Sequence, residues 1–267
     1  MTSWLRRNLA PISNGAWKEI DDNAIGVLRP YLSARKVVDF DGPHGFDYSA
    51  VNRGKINIPE NHTHQGVDWG IREVLPLVEA RVPFVLNQLE IDNYERGAED
   101  IDFSPLEKAA LSMAHFEDDV ILNGFPDANI EGIVKSSTHN PLPLGKEAEN
   151  FPQAITEAMQ TIQQAGIGGP FTLLLGDKPY RLLMQASASQ RYPMTKAIRN
   201  LLGGDIVWCS ALEGGVLLSS RGGDFVLTVG QDLSIGYASH DREGIELYFC
   251  ESFTFRVLEP AAAVALT

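Results

Sequence analysis

Residues 104–124 read SPLEKAALSMAHFEDDVILNG, and this stretch carries the strongest local signal in the chain. Leu106, Ala109, Ala110, Met113, Phe116, Val120 and Ile121 recur at steps of three and four. That spacing puts apolar side chains on one face of an α-helix. Ser104 and Glu107 stand as a capping box, in which the hydroxyl accepts from the backbone N–H three residues on and the carboxylate reaches back. Pro105 suits the first helical position and Gly124 supplies the stop. The sequence therefore predicts a helix over 105–123. His115, Glu117, Asp118 and Asp119 lie on it. Asp118 and the polar edge are expected to face water, with His115 and Asp119 paired at i, i+4. An acid–base pair would need two carboxylates in contrasting surroundings, and the pattern offers none.

Working towards the N-terminus, Trp17, Ile20, Ala24 and Leu28 predict an amphipathic helix over 14–33, capped by Ser13 or Asn14 and weakened at its end by Pro30. Such a stripe must dock on something. Residues 34–58 read as extended, with a strand over 37–40 and turns at Gly42-Pro43 and Gly45. Residues 48–90 form an excursion with a Gly/Asn/His-rich middle. A short helix over 69–78 and a strand over 83–91, in which Val82, Phe84, Leu86 and Gln88 alternate, complete it. A two-stranded excursion with so little apolar content is not stable alone, so a neighbour must support it.

Working towards the C-terminus, residues 140–150 read as loop, 152–165 as helix and 171–175 as a buried strand. Asp177 caps a helix through residue 185, a small polar loop follows over 186–190, and a helix over 194–202 ends at Gly203. Strands are expected over 206–209, 216–219, 225–229, 245–249 and 252–258. Glu213-Gly214-Gly215 and Arg221-Gly222-Gly223-Asp224 read as hairpin turns. The class is α+β.

The 267 residues are 44% hydrophobic, enough for a sizeable core in one or two domains. A formal net charge of −13 argues against nucleic acid or an anionic membrane as partner, since both require a basic field. Cys209 and Cys250 form no CxxC pair and read as small buried apolar residues. The opening MTSWLRRNLAPIS has no apolar core of a signal peptide, and no stretch approaches a membrane span of about 20 apolar residues, so a soluble cytoplasmic protein is expected. His62 and His64 would share one face of a strand, but no third ligand accompanies them and no metal is expected. No GxSxG, HExxH, GxxxxGK[ST] or GxGxxG occurs, so no cofactor and no enzymatic activity is indicated.

Several stretches together resemble the encapsulins (family 1), the shell proteins once labelled linocin-type bacteriocins. They are Leu9-Ala10-Pro11-Ile12 with Ala16-Trp17-Lys18-Glu19-Ile20, and Ala34-Arg35-Lys36-Val37-Val38-Asp39 with Gly42-Pro43 and Gly45. Leu75-Pro76-Leu77-Val78, Arg81-Val82-Pro83-Phe84 and Glu90-Ile91-Asp92-Asn93-Tyr94-Glu95-Arg96-Gly97 continue the series. Arg221-Gly222-Gly223-Asp224-Phe225, Gly230-Gln231-Asp232-Leu233-Ser234-Ile235-Gly236-Tyr237 and Glu251-Ser252-Phe253-Thr254-Phe255 close it. The blocks run in family order. The resemblance implies a Hong Kong 97 phage major-capsid-like fold. Residues 1–47, 91–133 and 223–267 would then form a peripheral domain, 48–90 an extended loop and 134–222 an axial domain.

It also implies a hollow icosahedral nanocompartment, of the smallest shell class, built from copies of this chain. Cargo enzymes, ferritin-like proteins or dye-decolorizing peroxidases, would be enclosed through a C-terminal targeting peptide, for iron storage or oxidative-stress defence. Carried over by motif, the peptide-docking residues are Leu9, Leu28, Arg35, Val38, Asp39, Leu233, Ile235 and Tyr237. Apolar surfaces would take apolar anchors, and Arg35 and Asp39 would fix polar groups. Ser187, Ala188, Ser189, Gln190 and Arg191 would line a five-fold pore. Gln88 stands where some members carry a flavin-stacking aromatic residue, so no flavin site is carried over. A prophage major capsid protein and a protease or bacteriocin-type enzyme are the alternatives.

Overall fold

The computed structural model describes residues 4–189 and 193–267. In chain order, α1 (Asn14–Tyr31) leads to β1 (Asp39–Asp41) and then to an excursion of β2 (Ala50–Asn57), β3 (Thr63–His64), β4 (Val67–Asp68) and β5 (Ile71–Pro76). The chain returns through β6 (Val78–Asn87), α2 (Gln88–Glu95) and α3 (Ser104–Asn123). Next come α4 (Ile133–Ser136), α5 (Phe151–Gln164), β7 (Phe171–Leu175), α6 (Asp177–Ser189), α7 (Met194–Leu202), β8 (Ile206–Trp208) and β9 (Gly215–Ser219). Finally β10 (Phe225–Val229), β11 (Ser234–His240), β12 (Gly244–Val257) and β13 (Ala263–Leu266) complete the chain.

Two sheets carry the structure. The first is organised on β12, whose 14 residues make it the longest strand. β6 pairs antiparallel along one side, from Gly244↔Asn87 to Phe253↔Val78. Along the other side β11 and β10 pair in succession, Ser234↔Cys250 and Val229↔Phe253 being their adjacent ends. Strand β1 then joins β10 in parallel. Pro83 sits within β6, where the missing N–H is tolerated because β6 is an edge strand of this sheet. The second sheet has the order β13-β9-β7-β8. All five residues of both β7 and β9 are buried, the pattern of a strand covered on two faces.

The α3 helix joins the two. Its first half, Leu106 to Ala114, packs with α1, β6 and β12 around Trp17, Ile20, Phe84, Ile245 and Phe249. Its last turns, Val120 to Leu122, belong to a second core with α5, β7, β9 and β13. Beyond it Gly124 and Gly132 lie back to back. A Cβ on Gly132 would stand 2.2 Å from the Gly124 nitrogen, and one on Gly124 would stand 2.6 Å from the Gly132 nitrogen.

Several expectations shift. Helix α1 runs from Asn14 with Ser13 as its cap, Ala16 N–H donating to the hydroxyl at 3.1 Å, and ends one residue after Pro30. The helix expected over 69–78 is strand: Leu75 alone on β5 is buried, and pairing with β2 overrides local preference. The strand expected over 83–91 begins at Val78 and gives way at Gln88 to α2, whose start is fixed by Leu89 N–H donating to the Asn87 side chain at 2.8 Å. Ser104 is inside α3 rather than capping it. Its N–H donates to Asp102 Oδ1 at 2.9 Å, so an Asx-type contact replaces the capping box. Asp119 accepts from Asn123 Nδ2 at 2.7 Å instead of pairing with His115.

Downstream, α6 continues through Ser189, so the small polar run over 186–189 is helical, while Gln190, Arg191 and Tyr192 lie outside the described residues. Neither glycine pair makes a hairpin. β8 and β9 are separated by β7, and the segment 220–224 passes from one sheet to the other. The two strands expected over 245–258 are one, β12, and β11 and β13 are additional. β13 pairs with β9, so residues 263–266 belong to the second sheet rather than with the rest of 223–267.

The glycine contact generates a test. Replacing Gly132 with Ala forces backbone apart and is expected to cost about 2–4 kcal/mol. The matching change at Gly26, an exposed position of α1 with nothing within 4 Å, is expected to be neutral or to stabilise by up to about 1 kcal/mol. Thermal midpoints of the two variants decide.

Candidate functional site

The residues singled out for docking fall into three places. The first is the rim where the N-terminal segment meets β11. Trp4 stacks on Phe46 with centroids 4.0 Å apart. Tyr237 N–H donates to the Leu5 carbonyl at 2.9 Å, so the segment caps the outer edge of β11. Arg7 pairs with Asp21 at 2.7 Å and lies over the Trp17 ring, fixing the approach to α1. This leaves Leu9 57% exposed, with Tyr237 half-buried on β11 and Leu233 half-buried on the turn before it. Leu28 and Ile235 are buried beneath, in the core shared by α1 and the sheet.

The second place is a charge hub around Arg35. Its guanidinium meets Glu117 as a fork, Nε to Oε1 at 2.8 Å and Nη2 to Oε2 at 2.6 Å. Nη1 donates to Asp232 at 2.8 Å and Nη2 also meets Glu251. Glu117 and Glu251 are fully buried, while Asp232 is partly open. Burial would lower the pKa of Arg35, but the hydrogen bond and charge of Glu117, then Glu251 and Asp232, hold it above the usual arginine range. Burial, and next the charge of Glu117, raise Glu251 well above the usual carboxylate range. The shift reflects three carboxylates crowded around one cation.

Beside the hub, Asp118 is also fully buried, against the expectation that it faces water. It accepts from Ser33 N–H at 3.0 Å and Ala34 N–H at 2.9 Å, at the end of α1, and from the Cys209 thiol at 3.5 Å. Burial pushes its pKa up from 3.8 to about 6, although the two backbone donors pull the other way. Burial and then Asp118 push the Cys209 thiol up to about 12, so it stays a neutral donor.

The third place is the cleft between the sheets. Val38 packs against the second core, and Asp39 accepts from Gly223 N–H at 2.5 Å. The eight residues therefore do not line one groove. Arg35 has its guanidinium committed to carboxylates inside the subunit, Asp39 is exposed in the cleft with one oxygen holding Gly223 N–H, and Leu9, Leu233 and Tyr237 offer surface at the rim. For the pore set, Ser187 and Ala188 lie in the last turns of α6, where the Ser187 hydroxyl accepts from Thr195 N–H at 2.9 Å. Ser189 ends that helix. His62 and His64 sit at the excursion tip, and no group of three metal-binding side chains occurs among the described residues.

Glu117, Asp118, Asp232 and Glu251 were missed as site residues. A signal for the first two existed. Glu117 lies four residues from both Met113 and Ile121, and Asp118 four from both Ala114 and Leu122, so both sit on the buried stripe.

A family model described as encapsulating protein for peroxidase matches residues 1–254. The chain belongs to the encapsulin shell-protein family. It is 41% identical over 262 residues to the type 1 encapsulin shell protein of Rhodococcus erythropolis, covering 98% of each chain. It is 42% identical over 267 residues to that of Rhodospirillum rubrum, covering 98% of this chain and 95% of the other. A virus-like particle from Pyrococcus furiosus shares the fold at 14% identity, TM-score 0.68, over 94% of this chain and 99% of the other. The Mycobacterium phage Bobi structure does so at 13% identity, TM-score 0.57, over 89% and 90%. The fold is thus of the phage-capsid type, and the encapsulin chain is a structural subunit that assembles into a nanocompartment, not an enzyme. The phage likeness is one of fold alone, so the prophage-capsid alternative is the weaker reading. No helix among the described residues is long and apolar enough to cross a membrane.

Two outcomes follow from the hub. Arg35→Ala leaves Glu117 and Glu251 buried without a cation and is expected to cost about 3–5 kcal/mol. Arg35→Lys should recover only part of this, because a point charge cannot reproduce the fork; soluble yield and thermal midpoint measure both. For Asp118, both states are protonated only well below the unfolded value of 3.8. As pH rises the unfolded chain ionises first, so stability falls by about 3 kcal/mol in all on passing from below about 3 to above 6. Asp118→Asn removes that slope, so the wild-type advantage over the variant in thermal midpoint should be larger at pH 4.5 than at pH 7.5.

Proposed function

We propose that the encapsulin shell encloses a cargo enzyme, captured by an extended C-terminal peptide at the rim formed by Leu9, Leu233 and Tyr237. The family description, encapsulating protein for peroxidase, is the observation that carries this reading. A dye-decolorizing peroxidase is the first cargo and a ferritin-like protein the second, which would give the compartment a cytoplasmic role in oxidative-stress defence or iron storage. The rim supports peptide capture chemically. An exposed leucine beside a half-buried leucine and tyrosine gives apolar anchors a place to bury area, over a floor of Leu28 and Ile235. Arg35 acts here as a positioning residue: its bond to Asp232 fixes the turn that presents Leu233, and Leu233 N–H donates to Asp232 Oδ1 at 2.8 Å.

In the same reading, the β2–β5 excursion is the clasp between neighbouring subunits. Ile56, Ile58, Val67, Trp69 and Ile71 are exposed on an element with too little core to stand alone. The end of α6, with Ser187 and Ala188, would surround the five-fold axis.

Negative-stain microscopy of the protein expressed alone should show uniform hollow spheres. A reporter enzyme ending in the cargo's C-terminal peptide should co-sediment with them. Leu9→Asp should leave the spheres intact and lower captured reporter by roughly tenfold. Undiminished capture would remove the rim from the docking site.

A further inference from the structure

Beneath the excursion, where β2 and β5 leave the body, lies an elbow with two openings of about 700 and 320 Å³. Arg53, Lys55, Lys135 and Arg256 line it, against Glu73 and Glu131. Arg53 is 4.0 Å from Glu73. Lys55, Lys135 and Arg256 have no carboxylate within ion-pair distance among the described residues, and the Nε of Arg256 is buried with no hydrogen-bond partner. The elbow is therefore a net basic concavity in a chain of formal charge −13.

The opposite sign stands in the loop between α2 and α3. Glu99 and Asp100 are exposed there, and neither has a basic partner among the described residues. The two features cannot neutralise each other within one copy. The loop enters the N-terminal end of α3, whereas Asn123, at its other end, lines the elbow. A 20-residue helix separates its ends by about 30 Å.

We propose that the acidic α2–α3 loop of one copy seats in the basic elbow of a neighbouring copy, Glu99 and Asp100 facing Lys55, Lys135 and Arg256. This rests on the shell assembly described above and names one of its contacts. Two different patches at opposite ends of a rod make a head-to-tail contact, the kind that closes into a ring when the rotation allows. Charge complementarity of this kind sets register and partner choice more than raw affinity.

The test is a charge swap on exposed residues, followed by sedimentation velocity at low ionic strength, with far-UV circular dichroism to verify folding. Lys55→Glu with Lys135→Glu is expected to lower the assembled fraction by roughly tenfold or more, since like charges then face each other. Glu99→Lys with Asp100→Lys should do the same. The chain carrying all four changes should return to within about twofold of wild type, the pairing being restored with reversed sign. Assembly of either double variant at the wild-type level would overturn the contact while leaving the shell reading intact. So would four-fold variants that stay folded but unassembled. A wild-type chain that sediments as a monomer in the same buffer would overturn both.

Discussion

One guanidinium holds four parts of this subunit in register. Arg35 follows α1, Glu117 lies on α3, Glu251 on β12, and Asp232 on the turn between β10 and β11. Packing alone does not fix how a helix slides or rotates on a sheet, because apolar contacts are non-directional. A forked ion pair is directional, and a buried one tolerates no slippage, since any displacement strands a charge away from water. Asp118 repeats the device one residue on, gripping the backbone of Ser33 and Ala34. The apolar contacts of α1 supply its adhesion, and the charges supply its position.

That division explains what could be read from the residues beforehand. The helices over 14–31, 104–123 and 151–164 follow from apolar spacing and their caps or stops, and they stand close to where the periodicity put them. The errors occur where partners outside the local segment decide. Residues 71–76 become strand only because β2 lies alongside, and β11 is recognisable only once β12 is there to pair with it. The two glycine pairs were assigned to hairpins because glycine signals a turn without saying which strand comes next in space.

The docking residues show the same limit at the level of function. Motif resemblance names stretches of chain, whereas burial sorts the side chains within them. Leu28 and Ile235 lie in the core, Arg35 in internal ion pairs, Leu233 and Tyr237 half-buried, and Leu9 and Asp39 on the surface. An acidic residue on an apolar stripe, as at Glu117 and Asp118, was readable as a conflict between charge and position. Its resolution was not, because Arg35 lies 82 residues away from Glu117. Conflicts of this kind between local pattern and global fold mark places where a polar network has been built into a core.

The continuity of α3 has a geometric consequence for a closed wall. The same rigid rod is embedded at one end in the core of the first sheet and at the other in the core of the second. The angle between the two halves of the subunit is therefore set by how a single helix is seated. A rotation of about 2° at one end moves the other by about 1 Å over a length of about 30 Å. Repeated in every copy, that lever would convert small differences in side-chain packing into the curvature of the assembled wall.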